Sequence, residues 1–393
     1  MLSLAEAQAT LWQQAVPVAQ SHFLPLDQAL GAIAARPVMA SLAVPPADNS
    51  AMDGYALRLA EACAPLPVCG RIAAGVAPAP LAPGCAARIF TGGEIPRGAD
   101  TVVMQENTQI LPDGRVCVTQ LPNLGANIRP QGQDVRPGQC LVAAGVRLGP
   151  VALALLASQG MTQVDVLRPC RVALVATGSE LVAPGQTLAA GQIYNSNSQL
   201  LGSALRLLGV EVQSVWVADD PLQTQQTLAA LASQVDVILT TGGVSAGEED
   251  HVKASLAALG QVGFWKIAIK PGKPFMFGQI GTTPVLGLPG NPVSSFITYC
   301  LLAKPFIQAV QGCQARLPPA RWLPAACPLN AAGREEFVRV TCTEDGVRPL
   351  ANQSSGALSS LMLADGIIRL PAQHHCAPGE RVEFWTLDEL LAP

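Results

Sequence analysis

Charge is scarce in this sequence. Charged residues make up 13% of 393 positions, about half the ~25% of an average chain. The net charge of −4 provides no broad basic field to draw the protein to nucleic acid or anionic lipid. Lysine is scarcer still. Of 24 basic residues only Lys253, Lys266, Lys270, Lys273 and Lys304 are lysines. No Cys-x-x-Cys pair occurs among the 11 cysteines, and their number is odd, so neither a disulfide framework nor a structural zinc site is expected. The four histidines, His22, His251, His374 and His375, form no His-Glu-x-x-His and do not look like zinc ligands; His374-His375 reads as a solvated loop pair. Neither a P-loop nor a Gly-x-Gly-x-x-Gly after a strand is present, which excludes the common mononucleotide and dinucleotide fingerprints. The longest apolar stretch, Val151 to Ala157, falls far short of the ~20 residues of a membrane span. The start, Met1-Leu-Ser-Leu-Ala-Glu, has no basic region followed by an apolar one. The expectation is a reduced, cytoplasmic protein with no membrane and no nucleic acid as partner.

What is abundant is turn chemistry on an apolar background. Hydrophobic residues make up 49%, which rules out dominant disorder, and 36 Gly with 33 Pro predict many short elements. The length allows two to four domains at roughly 100–200 residues each. Residues 3–35 read as helix, with Leu4, Ala7, Leu11 and Trp12 on one face and Pro17 and Pro25 as interruptions. From Pro45 to about Val135 the runs are short (Ala99 to Met104, Val116 to Val118), and Asp113-Gly114 marks a hairpin between two of them. A short helix follows over 150–160, capped by Gly160.

Between residues 170 and 311 the pattern becomes strand, Gly-rich turn, helix, repeated. This predicts a doubly wound, mostly parallel α/β domain. After Gly312 alternating runs around Asp345-Gly346 and Pro378-Gly379 predict a small C-terminal β-barrel. The fold class is therefore multidomain α/β plus β. Its expected parts are 1–36 with 136–168 as a helical and linking domain, 37–135 as a β-rich module, 169–311 as the α/β domain and 312–393 as the barrel.

Ligands of open α/β sheets bind at the carboxyl ends of the strands. Four such ends carry polar or glycine-rich sequence: Thr177-Gly178-Ser179-Glu180, Thr241-Gly242-Gly243-Val244-Ser245 with the following acidic run to Asp250, Lys270-Pro271-Gly272-Lys273-Pro274, and Gly287-Leu288-Pro289-Gly290-Asn291-Pro292. Any one alone is ordinary loop chemistry; four at one edge argue for a site. Asn291 suits an N-cap and Pro292 the first helical position, which places Ser294 in the first turn, where backbone N–H groups attract an oxyanion. Lys266 and Lys270 are four apart and would share one face of a strand running from Phe264 to Lys270. Two ammonium groups there call for an anion or acidic partners. With Glu180, Asp219 and Asp250 they suit an anionic substrate plus a hard divalent ion such as Mg²⁺.

Gly243-Val244-Ser245-Ala246-Gly247 also matches the nucleophile elbow of hydrolases, with Asp345 or Asp365 and then His374 in hydrolase order. Against that reading, Thr240 to Gly243 loosens the strand-to-helix junction, Glu248-Glu249-Asp250 crowds it with charge, and the histidine lies in the β-rich tail. In the N-terminal half, Asp48 to Ala56, Thr91-Gly92-Gly93 and Asn127 to Asp134 are polar loops, each more often an Asx turn than a site when taken alone.

Taken in order, Asp48 to Ala56, Thr91-Gly92-Gly93, Ala99 to Glu106, Thr177 to Leu181, Gly242 to Lys253, Lys266 to Pro274 and Gly287 to Pro292 resemble the molybdopterin molybdenumtransferases, the bacterial MoeA proteins and the gephyrin E domain. The resemblance covers essentially the whole chain. It implies four domains, a homodimer with sites shared between subunits, and the last step of molybdenum cofactor synthesis. In that step molybdate enters adenylylated molybdopterin with Mg²⁺ and AMP leaves. Molybdopterin adenylyltransferase and molybdoenzyme maturation factors are the partners it suggests. By this resemblance Lys270, Lys273, Ser294, Arg334 and Ser355 hold molybdate. Asp53, Thr91, Asp134, Glu180, Asp219, Asp250 and Lys266 are activity-sensitive polar positions. The cofactor-binding surface would add Thr177, Gly178, Ser179, Gly242, Gly243, Ser245, Pro289, Asn291 and Pro292. Three positions depart from the usual pattern: Gln133 and Ser179 stand where carboxylates are common, and Ser354 stands for a usual Gly. A dimeric scaffold and the adenylyltransferase that shares the α/β domain are the competing functions.

Overall fold

The computed structural model describes residues 1–244, 250–314 and 317–393, and Ser245 of the expected site lies outside them. At the centre lies a six-stranded sheet in the order Glu211–Val217, Arg171–Thr177, Val237–Thr241, Thr283–Leu288, Met276–Ile280, Gln261–Trp265. The first four run parallel; Met276–Ile280 is antiparallel to both its neighbours. The alternation of a strand explains its two coats. Val172, Leu174, Val237 and Leu239 face one core with the helix Ser196–Leu207 and the long helix from Pro292 to Val310. Ala173, Val175 and Ile238 face a second core with Leu228 and Leu231 of Pro221–Ala232 and Val252 and Leu256 of His251–Leu259. Both faces of the inner strands are covered, so Arg171–Thr177, Val237–Thr241 and Thr283–Leu288 read as near-continuous apolar runs, whereas the edge strand Glu211–Val217 is mostly exposed. The helix Pro292–Val310 is long and apolar enough to cross a membrane by length and composition, but 89% of it is buried inside the protein, as a core helix is.

The N-terminal half is built from short pairs. Ser21–Pro25 is a strand antiparallel to Gln163–Leu167, so the expected helix over residues 3–35 ends at Gln14. Pro17 and Pro25 do more than interrupt a helix; the stretch between them pairs with a distant strand. Val38–Met39 pairs with Cys140–Val142 and Asn49–Ser50 with Ile128–Arg129, so both strands that leave toward the β-rich module are matched by returning ones. Within that module a four-stranded sheet has the order Val68–Ile72, Ala86–Ile89, Gly54–Leu57, Thr101–Met104. The Asp113-Gly114 hairpin joins Val116–Val118 to Thr108–Ile110 rather than to Thr101–Met104, which the four-stranded sheet claims. The expected lack of disulfides needs correction: Cys69 and Cys85 are bonded, tying the strand Val68–Ile72 to the start of its parallel neighbour Ala86–Ile89. An odd cysteine count does not preclude one local pair whose Cα atoms pairing brings to 5.9 Å.

In the C-terminal part Glu335–Thr343 pairs with Gly366–Leu370, that with Arg381–Thr386, and that with Arg321–Pro324. Gly346–Pro349 pairs back onto Glu335–Thr343, and a bridge from Ala325 to Val347 closes the ring. The closure is tight. Gly346 has φ +125°, and a Cβ there would stand 2.0 Å from the carbonyl oxygen of Pro324. Gly346→Ala should therefore destabilise the protein by about 2–4 kcal/mol, from strain plus a backbone clash. Urea unfolding checks this, with Gly379→Ala, where a Cβ meets nothing within 4 Å, as the milder control.

Candidate active site

The expected strand-end loops do meet. A cleft of about 1360 Å³ opens at the carboxyl edge of the central sheet. Its walls include Thr177, Gly178, Glu180, Asp219, Gly242, Gly243, Asp250, Lys270, Lys273, Pro289, Asn291, Pro292, Ser294, Arg334 and Ser355. The last two come from the C-terminal part, so the cleft lies between the sheet and the barrel.

The turn after Arg171–Thr177 is organised around Asp219. Its carboxylate accepts the Ser179 N–H at 2.7 Å, and its own N–H donates to Ser179 Oγ at 2.9 Å. The Ser179 hydroxyl thus fixes the loop that carries Glu180, a task a carboxylate at that position could not share with Asp219 without repulsion. Glu180 itself is exposed and folds back over Gly178, where a Cβ would lie 2.4 Å from its carboxylate. Gly242 and Gly243 have φ of +89° and +67°, and a Cβ on either would stand 2.9 Å from Thr177 Oγ1. Only glycine lets these two loops approach so closely. Thr177 is 8% exposed, yet its Oγ1 has no hydrogen-bond partner among the described residues; the same is true of Asn197 Oδ1. Buried oxygens without partners are uncommon, and here both belong to residues that line the cleft.

The helix beginning at Pro292 has Asn291 as N-cap residue and Pro at its first position, as expected. Its free donors are fewer than a helix start ordinarily offers. Pro292 has no N–H, and the Val293 N–H donates to the Ser355 carbonyl at 3.0 Å. That bond draws the Ser355 loop against the helix start and brings Ser355 and Ser294 into the same wall.

The lysines need the largest correction. Lys266 and Lys270 do not share a strand face. The strand Gln261–Trp265 ends where Lys266 takes φ +74°, and Ile269–Lys270 joins another sheet, parallel to Glu335–Glu336 of the C-terminal part. Positive φ costs a non-glycine residue energy and breaks the two-residue alternation on which the expectation relied. Lys266 and Lys253 instead stack their ammonium groups on Trp265, at 3.6 and 3.7 Å from the ring centroid. Trp265 Nε1 donates to the Val244 carbonyl at 2.7 Å, so Lys266 borders the site through that ring rather than through the cleft lining. Lys270 lines the cleft with its side chain 55% exposed and pairs with Glu336 at 3.1 Å. Arg334 is held by an Nη1 donation to the Ile269 carbonyl at 3.1 Å. Lys273 is exposed, with no ion-pair partner among the described residues.

Sequence reasoning missed Asn197 and Glu336. Asn197 Nδ2 donates to Thr241 Oγ1 at 3.0 Å and to the Gly290 carbonyl at 2.6 Å, linking two of the four loops. The polar run Asn195-Ser-Asn-Ser before an amphipathic helix was its signal; Asn195 is the N-cap, accepting from the Ser198 N–H at 3.0 Å. Glu336 sits inside a strand that reads as barrel wall, and nothing local marks it.

Asp53, Thr91 and Asp134 are not part of this cleft. Asp53 and Thr91 are nevertheless a unit: one carboxylate oxygen accepts both the backbone N–H and the hydroxyl of Thr91, each at 2.7 Å. Asp134 is exposed beside the 44–46 loop, its N–H donating to the Val44 carbonyl. The Thr91 backbone N–H, then its hydroxyl, holds the Asp53 carboxyl below its usual range. A carboxyl lowered in the folded state stabilises above its unfolded value and loses that contribution as pH falls through the folded one. Thr91→Val should therefore raise the Asp53 pKa toward the ordinary range without abolishing the shift, because the backbone donor remains. An NMR titration of the Asp53 carboxyl carbon reads this; an unchanged value would deny the hydroxyl any share.

Known proteins share both the sequence and the shape. Three family profiles match in order: the MoeA N-terminal region (domain I and II) over residues 2–160, a probable molybdopterin binding domain over 173–309, and the MoeA C-terminal region (domain IV) over 323–387. A molybdopterin molybdenumtransferase of Haemophilus influenzae is 38% identical over 403 aligned positions, covering 100% of both chains. One from Synechococcus elongatus is 39% identical over 93% of this chain and 94% of its own. The crystal structure of a molybdopterin biosynthesis MoeA protein from Pyrococcus horikoshii superposes with a TM-score of 0.85 at 26% identity, covering 98% of this chain and 99% of that one. With a full-length relative at this identity and a cleft built from the four expected loops, the chain belongs to the molybdopterin molybdenumtransferase family, transferases of molybdenum cofactor biosynthesis.

Proposed function

We propose that this protein inserts molybdate into adenylylated molybdopterin, with Mg²⁺, and releases AMP. The observation that carries the reading is the cleft itself, where cations and a helix start face carboxylates at the carboxyl edge of the sheet. Molybdate is a tetrahedral dianion. Lys270, Lys273 and Arg334, with the Ser294 and Ser355 hydroxyls, are donors suited to it, and none would ligate molybdenum directly. Thr177 Oγ1 and Asn197 Oδ1, buried and without partners among the described residues, lie in the wall against which the polar body of the pterin substrate would rest.

The carboxylates fit Mg²⁺ in one particular way. Glu180, Asp219 and Asp250 line one cleft, but the one group of three potential ligand residues gathered within 4.8 Å among the described residues lies elsewhere. Mg²⁺ is commonly held by one or two carboxylates plus substrate phosphates rather than by an all-protein cage. Of these Glu180 is better placed than Asp219 to hold it, since the Asp219 carboxylate is already engaged with the Ser179 N–H. Bound there, Mg²⁺ would neutralise charge on the adenylate link as AMP leaves. The four domains expected from sequence, the cytoplasmic location and the adenylyltransferase partner belong to the same proposal.

AMP release from adenylylated molybdopterin should require both molybdate and the divalent ion. Lys270→Ala should weaken molybdate use by roughly 10- to 150-fold, the ~1.5–3 kcal/mol of one charge-assisted contact, and high molybdate should restore part of the rate. Undiminished AMP release after exhaustive chelation would remove the ion from the reaction. Wild-type behaviour of Lys270→Ala at low molybdate would remove the lysine.

The separation of Asp53, Thr91 and Asp134 from the cleft supports a second proposal, that a homodimer completes each site with the β-rich module of the other subunit. A two-fold dimer makes such a contact twice. Asp53→Ala and Glu180→Ala homodimers, each inactive, should regain about a quarter of wild-type activity when unfolded and refolded together. Half the dimers are then mixed, and each holds one intact site. No recovery, with mixed dimers confirmed by mass, would place both residues in a site within one chain.

A further inference from the structure

The C-terminal part contains a cluster that the transferase reading does not use. His375–Cys376 is a short strand antiparallel to Leu329–Asn330, with Cys376 opposite Leu329. His374 immediately precedes this strand. The turn that follows brings Glu380 back. Its Oε1 lies 3.2 Å from His374 Nε2, and its Oε2 accepts the Ala377 N–H at 3.0 Å. Potential ligand atoms of His374, Cys376 and Glu380 all lie within 4.8 Å of one another.

We propose that His374, Cys376 and Glu380 form a binding site for a borderline divalent transition-metal ion of the Zn²⁺ and Co²⁺ class, separate from the Mg²⁺ of the cleft. One nitrogen, one sulfur and one carboxylate oxygen are the donor set such ions take, and a hard ion such as Mg²⁺ avoids the sulfur. With metal–ligand distances of about 2.0–2.3 Å, tetrahedral ligands stand roughly 3.3–3.8 Å apart. The cluster needs to contract by about 1 Å, within reach of His374 and Glu380, whose side chains are 36% and 44% exposed. The fixed partner is Cys376, fully buried. The Glu380 carboxylate is already oriented by the Ala377 N–H, the kind of outer contact that holds metal ligands in place. A fourth position is open to water or to Cys327, which packs against the same core two residues before the paired strand.

Burial, then the Glu380 charge, holds the Cys376 thiol in its protonated form. Coordination replaces that proton: the S–H bond breaks, the metal–sulfur bond forms, and one proton leaves to solvent. The ion would fasten the strand that pairs with Leu329–Asn330, and both those residues line the cleft.

The test is a titration of the full chain, stripped with chelator and kept reduced, with Co²⁺ alone. One equivalent should produce tetrahedral visible bands and a near-ultraviolet thiolate-to-cobalt band, displaced by Zn²⁺ and untouched by Mg²⁺. Cys376→Ser should abolish the thiolate band. His374→Ala and Glu380→Gln, substitutions at partly exposed positions that spare the fold, should each weaken Co²⁺ by at least tenfold. Cys140→Ser, at an exposed thiol, should bind as wild type, and Cys327→Ser tells whether that thiol fills the fourth position. Absence of a thiolate band, or its persistence with wild-type affinity in either His374→Ala or Glu380→Gln, overturns the site.

Discussion

The helix from Pro292 to Val310 is the constraint on which the arrangement depends. It is almost wholly buried, so its surroundings must satisfy it on every side. Distant parts of the chain do this through polar contacts as well as packing. Gln8 Nε2 donates to the Leu301 carbonyl, bringing in the N-terminal helix Leu4–Gln14. Lys304 Nζ donates to the Leu390 carbonyl, bringing in the last helix, Leu387–Leu391. Gln311 Nε2 donates to the Leu208 carbonyl at the end of Ser196–Leu207. A buried ammonium is costly unless it is bonded, and burial pushes the Lys304 pKa down. One rod thus fixes both chain ends against the α/β core and delivers its own start to the cleft.

The second organising theme is that the cleft is assembled from contacts between loops rather than from groups left free in solution. Asp219 is committed to Ser179, Val293 to Ser355, Lys270 to Glu336, and Asn197 to two loops at once. Such cross-bracing lowers the reorganisation needed when charge is bound. The Asp219–Ser179 pair gives the departure at position 179 a physical meaning. The hydroxyl both accepts from the Asp219 N–H and leaves that carboxylate free of a like charge.

Much of this was legible in sequence because it is local or periodic. The strands Arg171–Thr177, Glu211–Val217 and Val237–Thr241 and the helices between them follow from apolar runs and from Gly160, Gly209 and similar stops. Asn291-Pro292 announces its helix. What failed was non-local. Lys266 looked like strand because its neighbours from Phe264 to Ile269 are all apolar; only the partners, one sheet for Trp265 and another for Lys270, reveal the break. Ser21–Pro25 took its strand form from Gln163–Leu167, far along the chain. The Cys69–Cys85 bond and the Glu336 partner of Lys270 are likewise products of pairing, which no short window of sequence contains.

The pairing of Ile269–Lys270 with Glu335–Glu336 has a mechanical corollary. The lysine whose ammonium faces the cleft is backbone-bonded to the barrel's sheet and side-chain-bonded to its carboxylate. If the barrel tilts against the central sheet, cation and anion travel together. The cleft would then change its width while the Lys270–Glu336 pair kept its net charge. A dianion entering the cleft competes with Glu336 for the Lys270 ammonium, so the charge it meets depends on whether that pair holds or parts.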